Sequence, residues 1–155
     1  MGKRQVPIED FFEGPGRTTI RDDEILMGFK LPLFPDHSGA HYIQLGKRKS
    51  SEINVVNVAS FLEVEPGTGK VIKARIALGS VAPTPIRSFL AEKVLIGRTA
   101  EDGLFYKAGE TARQKDCRPI DDFRGSAGYR RAMVGVLTKR TLSAALEQAM
   151  NSYPR

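Results

Sequence analysis

Val55-Val56-Asn57-Val58-Ala59-Ser60-Phe61-Leu62-Glu63-Val64-Glu65-Pro66-Gly67-Thr68-Gly69-Lys70-Val71-Ile72-Lys73-Ala74-Arg75-Ile76-Ala77-Leu78 is two alternating runs around a turn. Successive side chains of a strand point to opposite faces, so Val56, Val58, Leu62 and Val64 share one face while Asn57, Ala59, Phe61 and Glu63 share the other. After Pro66-Gly67-Thr68-Gly69 the alternation resumes, with Ile72, Ala74, Ile76 and Leu78 opposite Lys73 and Arg75. One apolar face and one mixed face describe a β-hairpin laid against a core.

Working outward, Ile25, Met27, Phe29 and Leu31 alternate with Leu26, Gly28 and Lys30 until Pro32, which predicts a strand over 25–31. A second is predicted over 41–47, with Tyr42, Gln44 and Gly46 facing away from His41, Ile43 and Leu45. Together with strands over 55–65 and 70–78 this makes an antiparallel sheet of three to four strands. Downstream the period lengthens. Thr84-Pro85 opens a predicted helix over 85–97 carrying Ile86, Phe89, Leu90 and Val94. A second helix is expected over 102–115, and a third over 126–150 with Tyr129, Met133, Val136, Leu137, Leu142, Leu146 and Ala149 as its apolar stripe. Strands followed by about three helices define an α+β domain over 21–155. Residues 1–20, with Pro7, Gly14-Pro15-Gly16 and the pair Phe11-Phe12, read as an extended arm.

Composition fits one domain. The 155 residues are 41% apolar and 27% charged, an ordinary globular balance. The single cysteine, Cys117, and the two histidines, His37 and His41, are too few for a structural zinc or iron–sulfur site. No apolar run approaches the length of a membrane span, and the amino terminus lacks a secretory pattern, so a reducing, cytoplasmic setting is expected. Lysine and arginine exceed aspartate and glutamate by six, which raises an acidic polymer as a partner. The basic clusters, Lys47-Arg48-Lys49, Arg130-Arg131 and Lys139-Arg140, lack interleaved aromatic platforms, and those on the last helix are expected to reach into solvent. Both points argue against nucleic acid.

No self-sufficient active site emerges. Gly67-Thr68-Gly69-Lys70 lacks the upstream glycine and the following Ser/Thr of a phosphate loop and precedes a strand. Asp121 and Asp122 are placed to favour the amino terminus of the last helix. Cys117 has Arg118 beside it but no histidine near in sequence.

Five ordered segments nevertheless resemble one family. They are Val6-Pro7-Ile8-Glu9-Asp10-Phe11-Phe12-Glu13-Gly14-Pro15-Gly16-Arg17-Thr18; Asp23-Glu24-Ile25-Leu26; Leu45-Gly46-Lys47-Arg48-Lys49 with Glu52-Ile53; Ala74-Arg75-Ile76-Ala77-Leu78-Gly79-Ser80-Val81-Ala82-Pro83-Thr84-Pro85; and Asp122-Phe123-Arg124-Gly125-Ser126-Ala127-Gly128-Tyr129-Arg130-Arg131. The chain is similar to the C-terminal portion of the FAD-binding (medium) subunit of molybdenum hydroxylases, the xanthine dehydrogenase and carbon monoxide dehydrogenase family. The resemblance implies a part in electron transfer from iron–sulfur clusters to FAD and an acceptor. Its implied partners are an FAD-binding domain, a molybdenum-cofactor subunit and a 2Fe-2S subunit. It also implies that residues 1–20 are the exit segment of a missing FAD domain, that this chain alone holds no tightly bound FAD, and that it is inactive alone. Two flavin-binding positions carry over: Leu26, and Gln44, where many relatives have lysine. The segment from Arg124 to Arg131 is expected to be structural, launching the last helix. Phe11 and Phe12 would stand exposed without a preceding domain, a surface for a homodimer. A reading from another class is a free-standing basic module that binds an acidic partner or nucleic acid.

Overall fold

The computed structural model describes residues 2–48 and 53–151; Lys49 of the basic run and Glu52 of the third segment lie outside the described residues. Four strands form one antiparallel sheet in sequence order: β3 (Ser38–Leu45), β4 (Val56–Val64), β5 (Val71–Gly79) and β6 (Ile86–Arg87). Before them comes a small hairpin of β1 (Phe12–Gly14) and β2 (Arg17–Thr18), turned at Gly16 with φ 68°. Helices α1 (Phe89–Leu95), α2 (Asp102–Thr111) and α3 (Ala127–Asn151) cover one face of the larger sheet. The α+β architecture is the expected one.

The hairpin at 55–78 forms as read. Val56, Val58, Ser60, Leu62 and Val64 point into the core, where they meet Phe105, Leu137, Leu142 and Ala145 of the helices. Gly67 and Gly69 adopt φ of 80° and 65° in the turn, backbone conformations that favour glycine. One side chain departs from the pattern. A bulge beside Glu63 and Val64 pairs Val64 with Val71 and shifts the register, so Val71 is buried and Ile72 is exposed.

α3 lies across β3 and β4 so closely that a Cβ on Gly39 would fall 2.2 Å from the backbone oxygen of Ala145. Ser60 and Thr141 share a buried hydroxyl hydrogen bond of 2.7 Å at this contact. α2 crosses α3 by glycine as well, since a Cβ on Gly109 would fall 2.5 Å from the Gly135 oxygen.

Four expectations need correction. Residues 25–31 form no strand, and Ile25, Met27, Phe29 and Leu31 are exposed, because no strand among the described residues lies beside them. Residues 86–87 pair with Ala77 and Leu78 instead of opening a helix, so α1 starts at Phe89. Its cap comes from elsewhere in the chain: the Asp116 carboxylate accepts from the Ser88 hydroxyl at 2.6 Å and from the Ala91 N–H at 3.2 Å. Arg130 does not reach solvent but is buried, as described below. Tyr129 and Val136, counted in the apolar stripe of α3, are exposed, while Leu137, Leu142 and Ala149 are buried as expected.

Candidate functional site

The other face of the sheet is left by α1–α3 to segments that precede β3, with Glu9 reaching Arg87 and Phe34 packing on Phe61. Cross-strand register sets Gln44, Asn57 and Gly79 in one row and Tyr42, Ala59, Ala77 and Arg87 in the next. Small residues make the middle of this face low and flat. The Asn57 amide lies over Gly79, where a Cβ would sit 2.3 Å from the Asn57 Oδ1. At the β3 edge the Tyr42 hydroxyl donates to Gln44 Oε1 at 3.2 Å and accepts from Asn54 Nδ2 at 3.2 Å. Gln44 therefore stands in an exposed, uncharged hydrogen-bonding cluster on the sheet. Leu26, the other flavin-binding candidate, is no part of that cluster and lies half-exposed on the unpaired segment.

The opposite side of the face is ionic. Glu92, almost fully buried, receives two hydrogen bonds from Arg87, at 2.7 and 2.6 Å, and one of 2.8 Å from the Ile76 N–H. Arg87 also pairs with Glu9, which holds the amino-terminal arm against β6. Bonding to Glu92 raises the Arg87 pKa despite its partial burial, so this guanidinium stays charged.

The segment from Arg124 to Arg131, expected to launch α3, does so with Asp121 and Asp122 ahead of it. Asp121 accepts from the Ala127 N–H at 2.6 Å and Ser126 from the Tyr129 N–H at 3.2 Å, satisfying the open helix end. Arg130, 3% exposed, donates to the carbonyls of Ser80 at 2.7 Å and Val55 at 3.1 Å and pairs with Asp122. Partial burial pushes the Asp122 carboxyl up, but the Arg124 N–H and the guanidiniums of Arg130 and Arg124 outweigh it and hold it at about 2. Arg130 thus ties α3 to the ends of β4 and β5. Its burial was missed because a charged residue beside an apolar stripe looks alike in sequence whether it meets water or carbonyls.

Cys117 is buried, its pKa is raised chiefly by that burial, and its thiol donates to the Arg113 carbonyl at 3.3 Å. Among the described residues no group of three His, Cys, Asp or Glu side chains is placed to hold a metal. Among them also, no helix is long and apolar enough to cross a membrane. Phe11 and Phe12 are half-buried and pack edge to face, rather than standing exposed. A groove lined by Tyr106, Gly135, Val136 and Lys139 lies between α2 and α3, away from Gln44.

A four-stranded antiparallel sheet with helices on one face, and with the Gln44, Tyr42 and Asn54 hydrogen-bonding cluster on the other, defines an α+β domain. The family described as CO dehydrogenase flavoprotein C-terminal domain matches residues 41–145, and the chain belongs to that family. It is 33% identical over 144 residues to the carbon monoxide dehydrogenase medium chain of Hydrogenophaga pseudoflava, covering 93% of this chain and 49% of that one. It is 30% identical to a putative xanthine dehydrogenase FAD-binding subunit of Escherichia coli K12, covering 96% and 50%. Among solved structures, a Hydrogenophaga pseudoflava carbon monoxide dehydrogenase that lacks the Mo-pyranopterin moiety superposes with a TM-score of 0.86, at 35% identity, over 95% of this chain and 50% of that one. Quinoline 2-oxidoreductase from Pseudomonas putida 86 superposes at 0.84, with 26% identity and the same coverage. The chain spans about half the length of the curated relatives it matches.

Proposed function

We propose that the chain serves as the C-terminal domain of a molybdenum-hydroxylase flavoprotein subunit, completing one wall of an FAD site whose other walls belong to a flavin-binding half. The observation that carries this reading is the match of 93–96% of the chain to medium and FAD-binding subunits at 30–33% identity.

The donor set supports a division of labour. Gln44, Tyr42 and Asn54 offer neutral donors and acceptors on an exposed surface, which suits the polar edge of a flavin ring. They bring no cation, so the pyrophosphate of FAD falls to the other half. Leu26 would give an apolar contact. Bound there, FAD would supply the redox chemistry, and these residues would orient the ring. The further partners are a molybdenum-cofactor subunit and a 2Fe-2S subunit, in the cytoplasm. Residues 1–20 serve as the exit arm of the flavin domain. A homodimer, which would use only the half of Phe11 and Phe12 left open by their mutual packing, belongs to the same proposal; its test is whether the chain sediments as a dimer and Phe12→Ser restores a monomer.

The experiment is a flavin titration. The chain alone should retain no stoichiometric flavin after gel filtration, whereas its assembly with a flavin-binding polypeptide should, and Gln44→Ala in that assembly should weaken FAD binding by about tenfold. Tight FAD binding by the chain alone would overturn the proposal.

A further inference from the structure

The segment read as a strand over 25–31 is found extended and unpartnered. Ile25, Met27, Phe29, Leu31 and Leu33 are 85%, 83%, 73%, 83% and 91% exposed. Among the described residues, none of the main-chain groups of 25–34 joins a backbone hydrogen bond. The segment is nevertheless held at both ends. Arg4 pairs with Glu24 at 2.5 Å and donates to the Thr19 carbonyl at 2.6 Å; at the other end Phe34 packs edge-on against Phe61 of β4, with ring centres 5.5 Å apart. An apolar ladder with free main-chain donors and acceptors is a template for strand addition, and soluble proteins seldom leave one open to water.

What covers it is indicated by where the similarity begins. The C-terminal domain family matches from residue 41, but the relatives align over 93–96% of the chain. The relatives thus retain the stretch aligned with 25–34 ahead of the C-terminal domain, on the side of the half that this chain does not span. We propose that residues 25–31 are a β-strand of a sheet supplied by that flavin-binding half, so that strand addition joins the two. Alternate side chains of the segment would enter the partner's core, and Pro32, which has no N–H to give, would end the pairing. This rests on the functional reading above and names the joint it requires.

The test uses the full chain, tagged in its own cells and purified in the assembly it forms, with hydrogen exchange read by mass spectrometry. In an assembly that contains a flavin-bearing polypeptide, amides of 25–31 should exchange about 100-fold more slowly than in the chain alone. The double variant Met27→Lys/Phe29→Lys should lose that polypeptide by at least about tenfold. The same variant alone should keep the wild-type melting temperature, since neither side chain packs against the body. Flavin present in the assembly with 25–31 unprotected overturns this inference and leaves the functional reading standing. Protection of 25–31 in a flavin-free dimer overturns it in favour of a second copy. A chain that assembles with no flavin-bearing polypeptide overturns both.

Discussion

Residues 56–64 and residues 25–31 carry the same alternation, yet β4 lies between two strands with Val56, Val58, Leu62 and Val64 buried, while the second run stands beside no strand among the described residues. The difference is not in the residues. Alternation states that one face of a strand needs a core, and β4 finds it because the helices from residue 89 onward return over it. Residues 25–31 precede the sheet, and no strand among the described residues returns to pair with them. An unsatisfied pattern of this kind marks where a domain expects a neighbour.

The comparison can be broken from the core side first. Arg130→Ala should cost about 4 kcal/mol in urea unfolding, because it strands the carbonyls of Val55 and Ser80 and leaves Asp122 without its buried partner. Leu62→Ala, in the middle of β4, should cost about 3 kcal/mol by the same measurement. Gly39→Ala, which drives a methyl into the α3 backbone, should cost about 2 kcal/mol and lower the thermal midpoint.

Acid gives a smaller and signed effect. Asp122 is held below its ordinary range, so its contribution is full above the unfolded carboxylate pKa and is lost as pH falls through about 2. The gap in urea midpoint between wild type and Asp122→Asn should therefore narrow steadily from about pH 5 to about pH 2. The smallest effect is reserved for the unpaired run: Met27→Ala in the chain alone should change stability by less than about 0.5 kcal/mol. A large loss there would mean that the segment packs on the body and that the contrast with β4 is false.

Much of the body was legible in the sequence. The turn at Gly67-Thr68-Gly69, the inward valines of β4 and the span of α3 follow from local geometry, because glycine conformation and residue period are properties of short stretches. Ile72 was misplaced by a bulge that only pairing with β4 reveals. The start of α1 was hidden because its capping carboxylate, Asp116, lies twenty-five residues beyond the Ala91 N–H that it accepts from. Of the candidate site, the outward side of Gln44 was readable from β3 alternation, whereas its link to Tyr42 and Asn54 needed the strand ends brought together.

By itself, then, the sequence determined the α+β class, the central hairpin and the long last helix, all consequences of periodicity within a few turns or a few strand residues. Only the tertiary structure decided that Arg130 is an interior tie rather than a surface charge, and that the apolar run at 25–31 has no strand partner among the described residues. Both are matters of what lies opposite a residue in space, and alternation along a chain records the need for a partner without recording whether one arrives.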